Sequence, residues 1–151
     1  MADNDNVIST LNGLIETCRD GQNGFQTAAE GVTRSELKTL FHGYAQQRAR
    51  FVGELQTEVR RLGGDPENMG SVAATLHRGW INIKSTVTGK DESAIIAECE
   101  RGEDSAVSTY RDALDEDLPA NIRTIIDRQY ADIKQAHDRI RALERASGAG
   151  A

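Results

Sequence analysis

The sequence predicts an all-α chain folded as an antiparallel four-helix bundle, with an additional short helix in the long crossover between the second and third long helices. Three observations carry this prediction. Apolar residues recur at intervals of three and four along four long stretches, the spacing that puts side chains on one helical face. Only two prolines occur, Pro66 in a loop and Pro119 in the first turn of the last helix, so no long helix is interrupted. Hydrophobic residues make up 38% of the 151 residues and charged residues 28%. That balance suits long helices that bury one stripe each.

The first helix is expected from about Asn4 to Val32, with Val7, Ile8, Leu11, Leu14, Ile15, Cys18, Phe25, Ala28 and Val32 on its inner face and Asn4 or Asp5 as its cap. Its glycines, Gly13, Gly21, Gly24 and Gly31, weaken it and point to close helix approach. The second opens on an expected capping box between Thr33 and Glu36. Its stripe runs Leu37, Leu40, Phe41, Tyr44, Phe51, Leu55, Val59 and Leu62, and Gly63-Gly64 ends it. The crossover helix is expected from about Ser71 to Thr86, with Val72, Leu76, Trp80 and Ile83 on one face and Gly89 after it. The third long helix starts at the cap Asp91 and carries Ile95, Cys99, Ala106, Tyr110 and Leu114. The fourth follows the acidic loop 115–118 and carries Ile122, Ile126, Ile133, Ala136, Ile140 and Leu143. Residues 1–146 read as one domain and 147–151 as a flexible tail.

The formal net charge of −6 and the absence of a basic stripe with interleaved aromatics exclude nucleic-acid binding. No apolar run approaches the roughly 18 residues needed to insert into a membrane. The acidic N-terminus lacks the features of a signal peptide, so a cytoplasmic location is expected. Cys18 and Cys99 form no disulfide framework and are expected to pack as small hydrophobes, with a redox role as the alternative. They occupy matching positions in a faint internal repeat, Cys18-Arg19-Asp20-Gly21-Gln22 against Cys99-Glu100-Arg101-Gly102-Glu103. Two related helical hairpins joined by a long crossover is a ferritin-like topology.

Further residues extend that likeness over nearly the whole chain: Leu11 to Glu16, Gln47 to Phe51, Glu54-Leu55, Leu62 to Pro66, Gly70-Ser71, His77 to Trp80, Glu98 to Asp104, Tyr110, and Ala136 to Ile140. In these the chain resembles an uncharacterised bacterial four-helix-bundle family, a domain of unknown function within the ferritin-like superfamily. The resemblance implies a bacterial protein with a bundle fold, pairing as a homodimer, and a role related to stress. The wider superfamily sets a Glu, a Glu-x-x-His, a Glu and a second Glu-x-x-His on its four helices around two irons. Here Arg50 and Lys134 stand where ligands are expected, and Arg50 has no lone pair to give. Glu16, Glu103 and His137 remain as candidate metal residues, with Gln22, Gln47 and Gln129 as weaker members.

Several polar residues interrupt the apolar stripes: Gln22, Gln47, Arg48, Glu103, Gln129 and His137. Leaving a buried one unsatisfied costs roughly 1–3 kcal/mol, so they must be paired or hydrated. The leading reading is a structural network, such as Arg48 with Glu103, that fixes helix register. His42 and His77 lie in polar surroundings and are expected to be solvated. Trp80 is expected to cover the side of the bundle; the alternative is that its segment packs against a second subunit. The expected function is therefore a non-enzymatic structural or interaction module with no cofactor, self-associating, its protein partner unspecified. The alternative is a metal-binding protein or oxidoreductase with a reduced site holding iron or another divalent metal.

Overall fold

A computed structural model of the chain describes residues 3–66, 80, 82–89 and 91–149. Among the described residues five helices follow in order: α1 (Asn4–Gly31), α2 (Ser35–Arg61), α3 (Ile83–Gly89), α4 (Glu92–Leu114) and α5 (Ala120–Ala149). Among the described residues there is no strand. The four long helices form a ring in which α1 packs on α2 and α4, and α5 packs on α4 and α2. Helices α2 and α4 therefore face each other across one diagonal of the bundle. The short α3 lies against α1 and α4. The expected residues Val72, Leu76 and His77 of the crossover lie outside the described residues.

The helix ends follow the sequence with corrections at the caps of α1 and α2 and at two C-terminal ends, among them α3, which runs through Gly89 where the sequence ends it near Thr86. Asp3, not Asn4 or Asp5, caps α1, its side chain accepting from the Asp5 N–H at 3.0 Å. The Thr33–Glu36 capping box does not form; Arg34 holds the cap position of α2 without a side-chain bond. Glu92, at the start of α4, takes over. It accepts from the backbone N–H groups of Thr33 at 3.3 Å and Arg34 at 3.5 Å, and from Arg34 Nε at 2.8 Å. Partial burial pushes the Glu92 carboxyl up, but these hydrogen bonds outweigh it and hold the group below its usual range. Gly63 closes α2 at φ +85°, with the Gly64 N–H bonded to the Val59 carbonyl at 2.9 Å. Asp91 caps α4 as expected. Arg123 reaches back to bond the carbonyls of Leu114 and Glu116, both at 2.7 Å, which satisfies the end of α4. Helix α5 continues through Ala149, past Ser147, where the sequence predicts a tail.

Two apolar clusters fill the interior. One holds Leu11, Cys18, Leu55, Tyr110 and Ile126; the other holds Phe25, Phe41, Trp80, Ile95, Cys99 and Ile140. Trp80 is buried within its own chain at 2% exposure. Its ring meets Phe25 edge-on at 5.0 Å. The indole lies so close to Gly24 of α1 and Gly102 of α4 that a Cβ at either position would come within 2.3 Å and 2.0 Å of it. Seven residues further along both segments the contact repeats: a Cβ on Gly31 would stand 2.6 Å from Val87. Trp80 and Val87 are knobs, and Gly24 and Gly31 the holes that admit them. Trp80 thus packs into its own bundle, and residues 71–79 of the same expected segment lie outside the described residues. Among the described residues, no helix is long and apolar enough to cross a membrane.

Two glycine substitutions therefore have opposite expected effects. Gly102→Ala forces the indole out of its seat and should cost about 1–3 kcal/mol in denaturant unfolding. Gly53→Ala, on an exposed turn of α2 with nothing within 4 Å, should add up to about 1 kcal/mol through helix propensity alone.

Candidate functional site: a polar core linking all four helices

Between the two apolar clusters, Arg48 of α2 and Glu103 of α4 are buried at 1% and 0% exposure. They form a bidentate ion pair, with Arg48 Nη1 and Nη2 each 2.6 Å from one Glu103 carboxylate oxygen. The pair spans the diagonal of the bundle. The long arginine side chain reaches across it and needs room beside it. Gly21 of α1 supplies the room, since a Cβ there would already stand 3.0 Å from Arg48 Nη1. Gln47 accepts from Arg48 Nε at 3.2 Å, and the guanidinium carbon lies 5.4 Å from the centre of the Phe25 ring. Burial works against the charge on Arg48, but the Glu103 charge and its hydrogen bonds prevail and raise the Arg48 pKa. The guanidinium stays charged.

A second polar chain runs beside this pair. Tyr110 of α4 donates to Gln129 Oε1 of α5 at 2.7 Å. Its single proton is thereby used, so the Cys18 thiol of α1, 3.0 Å from the same hydroxyl, is the donor in that contact. Gln129 Nε2 in turn donates to Glu54 of α2 at 2.8 Å, and Arg128 closes the chain on the other Glu54 oxygen at 2.8 Å. The chain thus visits α1, α4, α5 and α2 and ends at the surface. Burial pushes the Cys18 thiol up to about 11 and the Tyr110 hydroxyl well above its usual range. Burial also raises Cys99 well above the ordinary thiol. Neither cysteine is a ready nucleophile. Both are free and sit in different apolar clusters rather than facing each other.

The structure does not gather Glu16, Glu103 and His137 around a common point. Glu103 gives both oxygens to Arg48. His137 Nε2 lies 2.5 Å from Asp104 Oδ1 and its Nδ1 lies 3.2 Å from Asp138 Oδ1, so both ring nitrogens have partners. Glu16 is half-buried on α1 with an interaction of its own. Among the described residues no group of three or more His, Cys, Asp or Glu side chains is disposed to hold a metal ion. Gln129 is committed at both ends, Gln22 and Gln47 are half-buried, and Arg50, Lys134 and His42 are exposed. This donor set does not fit a resident di-metal centre.

Sequence reasoning passed over Glu98 as a core group. It is buried at 1% exposure on α4, accepts from the Asn82 N–H at 2.7 Å and pairs with Arg101. It thereby fastens the crossover to α4. Its signal was periodic: Glu98 falls between Ile95 and Gly102 on the inner face.

Among the described residues the chain is an all-helical bundle with a polar core at mid-length. The model of the family described as "Domain of unknown function (DUF2383)" matches residues 6–116, and the chain belongs to that family. A solved two-domain protein from Anabaena variabilis, with DJ-1/ThiJ/PfpI-like and ferritin-like domains, is 19% identical and superposes with a TM-score of 0.79. The match covers 97% of this chain and 41% of that one, so this chain spans less than half the length of its structural neighbour. No curated protein matches the sequence.

Removing one member of the diagonal pair strands a buried charge. Arg48→Met or Glu103→Leu alone should cost about 3–5 kcal/mol in denaturant unfolding, while the double variant should recover most of that loss. Native Cys18 and Cys99 should react with an aromatic disulfide reagent only at the rate of global unfolding, a rate that Arg48→Met raises.

Proposed function

We propose that this chain is a non-enzymatic structural or interaction module that uses the ferritin-like bundle without its metal chemistry. The observation that carries this reading is the diagonal ion pair. Arg48 occupies both oxygens of Glu103, the best-buried carboxylate at mid-bundle, with two bonds of 2.6 Å. A cation entering there would have to displace a charged guanidinium that already neutralises the site. The high pKa values of Cys18 and Cys99 argue in the same direction, because a protonated buried thiol is a poor redox group. The interaction half of the reading draws on the Anabaena variabilis protein, in which a bundle of this fold is one part of a chain that also holds a DJ-1/ThiJ/PfpI-like domain. A bacterial cytoplasm suits two buried free thiols. We place the module there, as a homodimer with a role related to stress.

The test is metal analysis of the purified chain after exposure to iron, manganese and zinc and desalting. Less than stoichiometric retention is expected, with His137→Ala and Glu103→Gln indistinguishable from the parent. Stoichiometric metal that is lost in either variant overturns the reading in favour of a reduced metal site at Glu16, Glu103 and His137. Light scattering tests the dimer, for which twice the mass of the single chain is expected.

A further inference from the structure

A cleft of about 310 Å³ opens at the surface between α4 and α5, outside the buried ion pair. Two contacts fix the register of its walls. Asp104 meets His137 at 2.5 Å, and Glu100 lies 3.9 Å from Arg141. As α4 steps back four residues, α5 steps forward four, so the two helices run antiparallel. One turn the other way, Ser108 on α4 comes level with Lys134 on α5, and Arg111 lies one turn beyond Ser108. All three line the cleft. Among the described residues, Arg111 and Lys134 make no hydrogen bond and no contact ion pair; Lys134 acts on Asp138 only through its charge. The carboxylates of the cleft sit one turn away, around His137. Asp104 and Asp138 each give one oxygen to a ring nitrogen of His137, at 2.5 Å and 3.2 Å. Each keeps its other oxygen unbonded among the described residues. His137 and Val107, at 8% and 9% exposure, make a packed floor. The cleft thus has a cationic end, rich in donors, and a carboxylate middle, rich in acceptors.

We infer that this cleft binds the phosphate ester of a small hydroxyl-bearing molecule, with the phosphate at Arg111, Ser108 and Lys134 and the hydroxyls at Asp104 and Asp138. The Arg111 guanidinium offers two parallel N–H groups, a fork that matches two oxygens of one phosphate. Lys134 adds a compact charge with three donors, and the Ser108 hydroxyl adds one more. The two carboxylates repel a phosphate placed beside them, but they accept well from hydroxyl groups. That division favours an ester carrying both groups over inorganic phosphate or an uncharged polyol. Size points the same way, since about 310 Å³ lies at the small end of ligand pockets and suits a metabolite. The chain's net charge of −6 repels a nucleic-acid or anionic membrane surface, while a small anion reaches the local cations. The site goes beyond the module reading. It uses neither Glu103 nor a metal, so the metal analysis above and the ligand experiment below can fail independently.

Amide chemical-shift titrations of the full chain test this, with glycerol phosphate, inorganic phosphate and glycerol as probes. Ionic strength is held constant, because exposed charges are screened by salt. Glycerol phosphate should saturate with a Kd of about 1 mM or tighter. Its shifts should centre on residues 104–111 and 134–141. Inorganic phosphate should bind about tenfold more weakly, and glycerol should leave the cleft unshifted. Arg111→Ala and Lys134→Ala, both at exposed helix positions where alanine keeps the helix, should each weaken glycerol phosphate about tenfold. Arg50→Ala removes the same charge from an exposed position on α2 and should change nothing. Glycerol phosphate that fails to saturate by about 10 mM, or that binds no tighter than inorganic phosphate, overturns the inference. So does an equal loss of affinity in Arg50→Ala and Arg111→Ala, which would mark a response to overall charge alone.

Discussion

Two opposite charges sit at the centre of this bundle, on helices that face each other across its diagonal. Taking Arg48 and Glu103 out of water is expensive, and their attraction repays the cost only when donors and acceptors match. The bidentate fork at 2.6 Å on both arms meets that condition. It also imposes a constraint on everything around it. Helices α2 and α4 must hold one axial register, because a slip of one residue on either turns a charge away from its partner. Gly21 on α1 must stay small to leave the guanidinium its space, and Phe25 must present its ring to it. The two apolar clusters are divided at this level, so the pair sets where each begins.

The hydrogen-bonded chain from Cys18 through Tyr110 and Gln129 to Glu54 adds the complementary restraint. Where the ion pair joins one diagonal, the chain ties α1, α4, α5 and α2 in sequence around the ring. In ferritin-like iron proteins, inward side chains from four helices converge on metal. Here inward side chains of the four long helices bond to one another. Cross-linking of the bundle interior is kept, with both Glu103 oxygens bonded to Arg48.

The crossover is fixed by shape more than by charge. Trp80 is the largest hydrophobe in the chain and occupies a slot made by removing two side chains, at Gly24 and Gly102. Glu98 then holds the backbone at Asn82 and Val87 fills the space over Gly31. The faint repeat between α1 and α4 has a physical meaning in this light. Gly21 and Gly102, each three residues after a buried cysteine, each make room for one large side chain, Arg48 in the first case and Trp80 in the second.

The sequence by itself determined the helices, their order and their inner faces. Three-and-four spacing depends only on local geometry, and the buried residues from Val7 to Ile140 follow it. It also placed Arg48, Glu103, Gln129 and His137 among the stripes, because a polar residue in an apolar register is visible without coordinates. Pairing was another matter. Thr33 and Glu36 fit a local capping rule, yet the Thr33 N–H, together with that of Arg34, is taken by Glu92, more than fifty residues away. Nothing in the spacing of Cys18, Tyr110 and Gln129 relates them, since each lies on a different helix and their contact depends on axial register between helices. The candidate metal set of Glu16, Glu103 and His137 came from the resemblance to a ligand pattern together with periodicity, which says that a side chain points inward but not what it meets there. The pairing of Arg48 with Glu103 was expected from the sequence, and the tertiary structure supplied its bidentate geometry; only the tertiary structure decided that His137 meets two aspartates and that four glycine-sized gaps are filled by Arg48, Trp80 and Val87. Those outcomes belong to packing between distant segments, where a few ångströms of helix displacement choose between a ligand shell and an ion pair.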